Sequence, residues 1–288
     1  MTERLADVEA RIGTVHQLAS VITAMRGIAA ARSRDAQAHL PGIRAYAQVI
    51  GDAIGQALAL APETNLAPPA EKRADGHIVV ALCAEQGFAG IFNDRVLDAA
   101  GALLDAAPRA RAEFLLVGDR GLMVAAERGL QVDWSAAMIL RAGQAEALAI
   151  KIVDAIYKRL DRGQLARVTL VHAVPTQAAE LQIVERKLVP FDFDRFPAAR
   201  GATAPLLTLP PAVLLARLVE EYVFAELCEA VMQSFAAENA ARTRAMIAAR
   251  THVADTLETL VARSRQLRQE EITNEIIELA GGAAAAGL

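Results

Sequence analysis

The chain has 288 residues and a formal net charge of −4, with 30 Lys and Arg against 34 Asp and Glu. This charge balance gives no basic footprint for nucleic acid, and no apolar run is long and uncharged enough to span a membrane. Hydrophobic residues make up 54% of the chain but aromatics only 4%, a mixture that favours helices because alanine supplies so much of it. No basic segment precedes an apolar stretch at the N-terminus, so we expect a cytoplasmic protein without a signal peptide.

The N-terminal segment, residues 1–60, predicts a long helix. Its apolar residues form a coiled-coil seam, and Arg26 falls where that seam should place an apolar side chain. Either Arg26 snorkels at the end of the seam, or it faces another protein. Pro41 and Gly42 should kink or interrupt the helix, which resumes over 43–60. Residues 61–75 contain three prolines and predict a linker. The apolar residues step by three and four, the spacing of a coiled-coil seam, at Leu5, Val8, Ile12, Val15, Ala19 and Ile22.

The middle of the chain, residues 76–207, changes its hydrophobic period. Short apolar runs that read as buried strands alternate with helical stretches, which predicts a Rossmann-like α/β domain with a mostly parallel sheet. The segment 118–121 follows a strand but lacks the spacing of a dinucleotide loop, so a plain turn is predicted there. The predicted strands are 77–83, 113–117, 167–174 and 181–188, the predicted helices are 93–107 and 144–160, and 192–205 is predicted as a loop.

The C-terminal segment, residues 208–288, predicts a single very long helix. It has no glycine before Gly281, and its only prolines, Pro210 and Pro211, stand where a helix would begin. A helix of about 70 residues spans on the order of 100 Å, too long for an ordinary domain to bury its apolar stripe. Its middle is rich in alanine and arginine and buries little, so a partner must stabilise it. The apolar seams lie at Leu215, Val219, Val223, Leu227, Val231 and Phe235, and again at Val253, Leu257, Leu260, Leu267, Ile276 and Leu279.

The two terminal helices should pair with each other. Neither has another apolar surface long enough to match it, and both ends of the middle domain return to the same side, which makes the pair antiparallel. The predicted architecture is therefore an α/β middle domain on a long antiparallel two-helix coiled coil.

The residues supply little chemistry. The five histidines form no H-x-x-x-H or H-E-x-x-H set, no phosphate-binding P-loop occurs, and no serine has a nucleophile-elbow setting. His172 lies inside a predicted strand and is expected to be a core residue. Cys83 and Cys228 are far apart without metal-ligand spacing, so both should be buried free thiols. The chain is predicted to have no catalytic, cofactor or metal site of its own.

Four sets of residues resemble motifs of the gamma subunit of F-type ATP synthases. The C-terminal helix carries two of them, Glu238-Asn-Ala-Ala-Arg242 with Ala245-Met246, and Arg268-Gln269 with Ile272-Thr273 and Glu275, at the family's own separation. The N-terminal helix matches with Arg11-Ile12, Val15 and Thr23-Ala24-Met25, and the middle domain with the Glu85–Gly90 run and Asn93. The chain departs from the family at Thr23, Gly27 and His252, and its middle motif keeps only Gly87, Gly90 and Asn93, with Glu85 in place of aspartate. These departures suggest a divergent copy, such as the gamma subunit of an alternative cation-translocating ATPase.

The resemblance implies a rotor. In this family the paired terminal helices form a shaft inside a ring of three alpha and three beta subunits, and the middle domain holds epsilon and rests on the c-ring. The implied complex is a hetero-oligomer at the cytoplasmic face of a bacterial plasma membrane, touching the membrane only through the c-ring, and its catalysis occurs on other subunits. The rotor–stator contacts implied by the motifs are Met25, Arg26, Arg242, Arg268, Gln269, Thr273 and Glu275, and the middle-domain motif is Glu85, Gly87, Gly90 and Asn93.

Two other classes of function remain open from the residues themselves. A static coiled-coil scaffold with a ligand-binding α/β domain would form a stable homo-oligomer through its exposed seam. A stand-alone α/β enzyme with helical arms would need a pocket that the motifs do not supply.

Overall fold

The computed structural model describes residues 4–60, 76–106, 112–161, 165–176, 181–197 and 207–286. The predicted linker 61–75 and most of the predicted loop 192–205 lie outside these residues. Two compact units emerge. The terminal unit comprises Met1–Ile28 and Thr243–Leu288, and the central unit comprises Ala29–Arg242. This division cuts through both terminal helices instead of following the boundary between helices and sheet.

The two terminal segments form the long helices that the sequence predicts. The first helix runs through Pro41, so the interruption that the sequence allowed there does not occur. Its neighbours Ala36 and Leu40 are buried in the core, and this packing holds the turns on either side of the proline. A turn was predicted at 118–121, but a helix begins there. The helices are α1 (Leu5–Leu60), α2 (Phe92–Asp105), α3 (Asp119–Glu127), α4 (Ala145–Leu160) and α5 (Pro211–Ala286).

The described strands form one sheet in the order β3-β2-β1-β4-β5. Neighbouring strands are parallel except β4 and β5, which are antiparallel, so the predicted mostly parallel sheet is confirmed. The three-residue β3 was not predicted, because so short a run carries no periodicity. The strands are β1 (Gly76–Leu82), β2 (Ala112–Val117), β3 (Trp134–Ala136), β4 (Leu165–Val174) and β5 (Gln182–Val189).

The central strand β1 divides the core of the central unit into two layers. Its alternate residues Ile78, Val80 and Leu82 pack against α1, α4 and α5, and the residues between them pack against α2 and α3. Every residue of β1 is buried, as expected of a parallel strand covered on both faces. The sheet therefore fixes the position of the loops that follow β1 and β2.

An aromatic cluster lies near the start of α5. The Phe191 ring stacks on Phe196 with centroids 5.5 Å apart, and Tyr222 meets Phe196 edge-on at 4.9 Å. Gly51 of α1 leaves room for this cluster, since a Cβ there would lie 3.1 Å from the Phe196 ring. The part of the predicted loop that the structure describes is thus packed in place.

Within each unit α1 and α5 run antiparallel, because residues later in α1 contact residues earlier in α5. In the terminal unit Ile22 packs with Met246 and Val253, while Glu9 contacts Arg268 farther along α5. In the central unit the Ser33 hydroxyl donates to the Ala236 carbonyl at 3.0 Å, and Arg44 pairs with Glu229 at 2.8 Å. No helix within the described ranges is both long enough and apolar enough to cross a membrane.

Candidate functional site

Two motifs that are far apart in sequence meet in the central unit. The Arg242 guanidinium on α5 donates from Nε to the Gly87 carbonyl at 3.0 Å and from Nη2 to the Gln86 carbonyl at 2.9 Å. It also pairs with Glu238 at 2.5 Å and donates to the Asn239 amide oxygen at 3.1 Å. Only 4% of Arg242 is exposed, so the guanidinium makes its hydrogen bonds within this chain.

The motifs imply that Arg242 contacts a surrounding ring of subunits, and in the chain itself its guanidinium is buried among internal partners. A surface contact requires donors that point outward, whereas four of this guanidinium's interactions are made inside the central unit. A buried guanidinium is stable only when its charge is paired and its donors are satisfied. Arg242 therefore organises the chain that surrounds it.

Glu238 completes this junction. It is 2% exposed, pairs with Arg242, and accepts from the Gln86 backbone N–H at 3.5 Å. Burial raises the pKa of the Glu238 carboxyl, and the Arg242 charge opposes that shift. The carboxylate thus joins α5 to the loop after β1, while its Oε2 atom has no hydrogen-bond partner among the described residues.

Glu85 and Asn93 fix the same loop to the sheet. The Glu85 carboxylate accepts from the backbone N–H of Asp119 at 3.1 Å and of Met138 at 2.7 Å. The Asn93 side-chain oxygen accepts from the Ala84 N–H at 2.8 Å. Glu85 occupies the N-terminus of α3, the position where a helix attracts a negative charge. The chain's own carboxylate thus fills the place that a phosphate would take in a dinucleotide loop.

The motif glycines have different surroundings. A Cβ at Gly87 would meet nothing within 4 Å, and Gly90 has a φ of 60°. Gly118, outside the predicted motif, has a φ of 108°, and a Cβ there would lie 2.6 Å from the Cys83 carbonyl oxygen. Only glycine fits there without strain.

Sequence reasoning missed Phe88. This residue has a φ of 63°, in the left-handed region, and is 67% exposed. Ile91, three residues on, is 66% exposed. The signal that could have identified Phe88 is a bulky apolar residue placed in a short loop between Gly87 and Gly90.

The remaining predicted contact residues belong to the terminal unit. Arg268 donates to Glu9 at 2.6 Å and is largely exposed. The Thr273 hydroxyl donates to the Gln269 backbone carbonyl at 2.7 Å, and Gln269, Thr273 and Glu275 all lie on the surface. These four residues therefore form an exposed set along α5.

Met25 and Arg26 lie on the other helix of the terminal unit. Met25 is half-buried and packs beside the Ile22 cluster, and Arg26 is also half-buried. Neither residue is fully available as a surface contact in the chain itself.

Among the described residues, no group of three or more His, Cys, Asp or Glu side chains could hold a metal ion. His172 is a core residue as predicted, fully buried, with Nε2 2.9 Å from the Gln233 side-chain oxygen. Both cysteines are buried and free, as predicted.

Comparison with known proteins places these features in a family. A family model described as ATP synthase matches residues 4–286. The ATP synthase gamma chain of Parafrankia sp. (strain EAN1pec) is 30% identical over 296 residues, covering 98% of both chains. The ATP synthase gamma chain of Solibacter usitatus (strain Ellin6076) is 29% identical over 294 residues, covering 98% of this chain and 99% of that one.

Solved structures share the fold. A chain of the Euglena gracilis mitochondrial ATP synthase, in its OSCP/F1/c-ring structure in rotational state 3, has a TM-score of 0.66 at 12% identity, covering 98% of this chain and 94% of that chain. A chain of the Tetrahymena thermophila mitochondrial ATP synthase central stalk and c-ring has a TM-score of 0.57 at 18% identity, covering 80% of this chain and 99% of that chain. At these identities the likeness shows the fold alone. The family model and the 30% identical relative both match nearly end to end, and the chain therefore belongs to the ATP synthase gamma-chain family.

Proposed function

We propose that this chain is the central rotor subunit of a rotary F-type ATP synthase and is not itself catalytic. The observation that carries the proposal is the match of the family over residues 4–286, which includes both terminal helices and the sheet. The partners are three alpha and three beta subunits, an epsilon subunit and a c-ring, and ATP is made or hydrolysed on the beta subunits.

The terminal helices would act as an antiparallel coiled-coil shaft. Support comes from the opposite sequence order of their contacts within each unit, as in the pairs Glu9–Arg268 and Arg44–Glu229. A shaft with different side chains on each face stabilises a different beta conformation in each orientation. Rotation driven by ion flow then forces the catalytic sites through their cycle, and the work done equals the difference in contact free energy.

The exposed residues of α5 are the best candidates for contact with the ring. Arg268, Gln269, Thr273 and Glu275 combine charged and hydrogen-bonding groups on one stretch of surface. Exposed polar groups of this kind form pairs that can be broken and re-formed as the shaft turns, since each pair is worth only about 0–1 kcal/mol while solvated. Met25 and Arg26 would meet a beta-subunit loop from the other helix.

Each segment of the chain would have its own role in the rotor. Residues 1–60 and 208–288 form the shaft, 61–75 link it to the middle domain, and 76–207 form the middle domain that holds epsilon and rests on the c-ring. We further propose that the subunit lies at the cytoplasmic face of a bacterial plasma membrane and contacts the membrane only through the c-ring. The departures at Thr23 and His252 fit a divergent or alternative copy of the subunit.

The test is co-expression with alpha and beta subunits from the same genome, followed by native mass spectrometry and an ATPase assay. We expect a particle of three alpha, three beta and one copy of this chain whose ATP turnover depends on this chain. As a control, alpha and beta expressed without it should give less turnover and no such particle. A homo-oligomer that does not bind alpha and beta would contradict the proposed rotor function and favour a static scaffold.

A further inference from the structure

We propose that a cleft between α1 and the N-terminal part of α5 binds a small, soluble organic phosphate that carries a ring. The cleft has a volume of about 690 Å³ and lies wholly within the central unit. Small-molecule sites usually have volumes of about 300–1,000 Å³. The inference goes beyond the rotor function and does not depend on it. The lining residues that carry it are Arg44, Gly51, Asp52, Arg195, Phe196 and Tyr222.

Two arginines line this cleft side by side. Arg44 Nε donates to the Glu229 carboxylate at 2.8 Å, and Arg195 Nη2 donates to the Glu226 carboxylate at 2.8 Å. Glu226 and Glu229 are three residues apart on α5, a spacing at which side chains are neighbours about 5–6 Å apart. The two carboxylates therefore hold the two guanidiniums next to each other at the cleft.

This cluster of ion pairs has more positive than negative groups. Arg186 is a third guanidinium, 3.7 Å from Glu226 and 3.5 Å from Glu229, so three arginines share two carboxylates. Asp52, which lines the cleft, and Asp192, beside Arg195, are both exposed, so water and salt screen their charges. A bound anion would balance the charge that the two buried carboxylates leave over.

The cleft also has hydrogen-bond donors to spare. Within the described ranges, no acceptor receives Nη1 or Nη2 of Arg44, or Nε or Nη1 of Arg195. The Tyr222 hydroxyl accepts from Arg195 at 3.0 Å, and no described residue receives its hydrogen. A phosphate ester offers three acceptor oxygens in different directions, which suits two guanidiniums and a hydroxyl better than the two oxygens of a planar carboxylate.

Aromatic rings and bare backbone supply the apolar part of the wall. The Phe196 ring meets Tyr222 edge-on, and the Arg195 guanidinium carbon lies 5.5 Å from the Tyr222 ring centroid. Gly51 and Gly55 of α1 are about one turn apart, so no side chain of α1 enters the cleft at these two positions. A ring on the ligand would pack against the aromatic side chains, where burial and ring contacts are both favourable.

The test is isothermal titration calorimetry of the full-length chain with phenyl phosphate as the probe. We expect one phenyl phosphate to bind per chain, at least about tenfold more tightly than inorganic phosphate, because only the ester buries a ring. Benzoate, which has the ring but one oxygen fewer, should bind more weakly than phenyl phosphate. Benzylamine has the ring with a positive charge and should not bind.

Two variants locate the site and establish the sign of the ligand's charge. Arg44→Gln should weaken phenyl phosphate binding about tenfold, since charge-assisted hydrogen bonds are lost. The Arg44 side chain is 56% exposed, so this variant should keep its fold, which circular dichroism checks. Asp52→Asn should strengthen binding about two- to threefold, because a like charge is removed. The matched control is Arg217→Gln, which removes an exposed arginine of α5 outside the cleft and should leave the affinity unchanged.

Other results would overturn the site or the class of its ligand. No binding of phenyl phosphate, or equal losses in Arg44→Gln and Arg217→Gln, would overturn the site. Equal affinities for phenyl phosphate and inorganic phosphate would overturn the ring, and tighter binding of benzoate or benzylamine would overturn the phosphate. Cosedimentation with phosphatidic acid vesicles that phenyl phosphate displaces would assign the phosphate to a lipid headgroup and overturn the soluble ligand. The rotor function is tested separately by co-expression.

Discussion

Arg268 of α5 donates a hydrogen bond to Glu9 of α1 at 2.6 Å, and both side chains are largely exposed. Arg268, which is predicted to contact the surrounding ring, is therefore paired within its own chain, but only through a solvated contact. Such a pair contributes about 0–1 kcal/mol and exchanges readily for a partner on another subunit.

Replacing Arg268 and Gln269 together by alanine should impair coupling while leaving the fold intact. The free energy of unfolding of the chain should change by less than about 1 kcal/mol, because both side chains are exposed. Coupled ATP synthesis by the reconstituted complex should fall about tenfold, since a loss of about 1.4 kcal/mol of contact free energy corresponds to that factor.

The control for this prediction is Glu9→Ala, which removes the partner within the chain but not the proposed contact residues. Synthesis should then stay within about twofold of the unmodified complex. Full retention of coupling in the Arg268→Ala, Gln269→Ala variant would show that these residues do not transmit torque.

Gly121 should not tolerate a side chain. A Cβ there would lie 2.1 Å from the Cys83 Cβ, so α3 and β1 would have to separate. We expect Gly121→Ala to lower the free energy of unfolding by about 1–3 kcal/mol, as overpacking of a core does. Chemical denaturation monitored by circular dichroism measures the difference.

Gly101 provides a matched glycine for comparison. It also lies within a helix, α2, but a Cβ there would meet nothing within 4 Å. Gly101→Ala should raise the free energy of unfolding by about 0.5–1 kcal/mol, because alanine loses less backbone entropy in a helix. Equal effects of the two substitutions would show that the contact with Cys83 does not limit the packing.

His172 should make stability depend on pH. Burial lowers its pKa to about 4, and this effect outweighs the hydrogen bond to the Gln233 oxygen, which raises the pKa. The Arg186 charge lowers the pKa further and the Glu229 charge raises it, both by less. In the unfolded chain the imidazole binds a proton below about pH 6.5, whereas in the folded chain it stays neutral down to about pH 4. Stability is therefore fully present above pH 6.5 and falls as the pH falls through this window.

Between pH 7 and pH 5, His172 should lower the free energy of unfolding by on the order of 2 kcal/mol. Denaturation at both pH values, of the unmodified chain and of His172→Gln, measures how much His172 contributes to this pH dependence. Burial also lowers the pKa of His77, so His77→Gln is the control, in which the contribution of His172 should remain. An identical pH dependence in His172→Gln and the unmodified chain would contradict the prediction.

The two thiols should be unreactive in the folded chain. Burial raises the pKa of Cys83, and it raises the pKa of Cys228 to about 12. Because the thiolate is the nucleophile that attacks a maleimide, the reagent at pH 8 should modify neither residue in the folded chain and both residues in denaturant. Ser20→Cys adds a thiol at an exposed position of α1 and should react promptly. Rapid native labelling at position 83 or 228 would show that the core opens there.

The sequence predicted much of this fold because local patterns decide it. Steps of three and four apolar residues identified α1 and α5, and short apolar runs identified β1, β2, β4 and β5. The spacing of Arg242, Arg268 and Glu275 identified the family without any knowledge of packing. The absence of a glycine before Gly281 in the last segment was enough to predict one very long helix.

Only the tertiary structure decided what those residues contact. The hydrogen bond from Arg242 to Gly87 joins positions 155 residues apart, and no local pattern shows that a charged residue on a helix will be buried under a distant loop. The same packing keeps α1 helical through Pro41 and presents Phe88 outward in a left-handed conformation. Helix and strand depend on neighbouring residues, whereas burial and orientation depend on which distant surfaces meet.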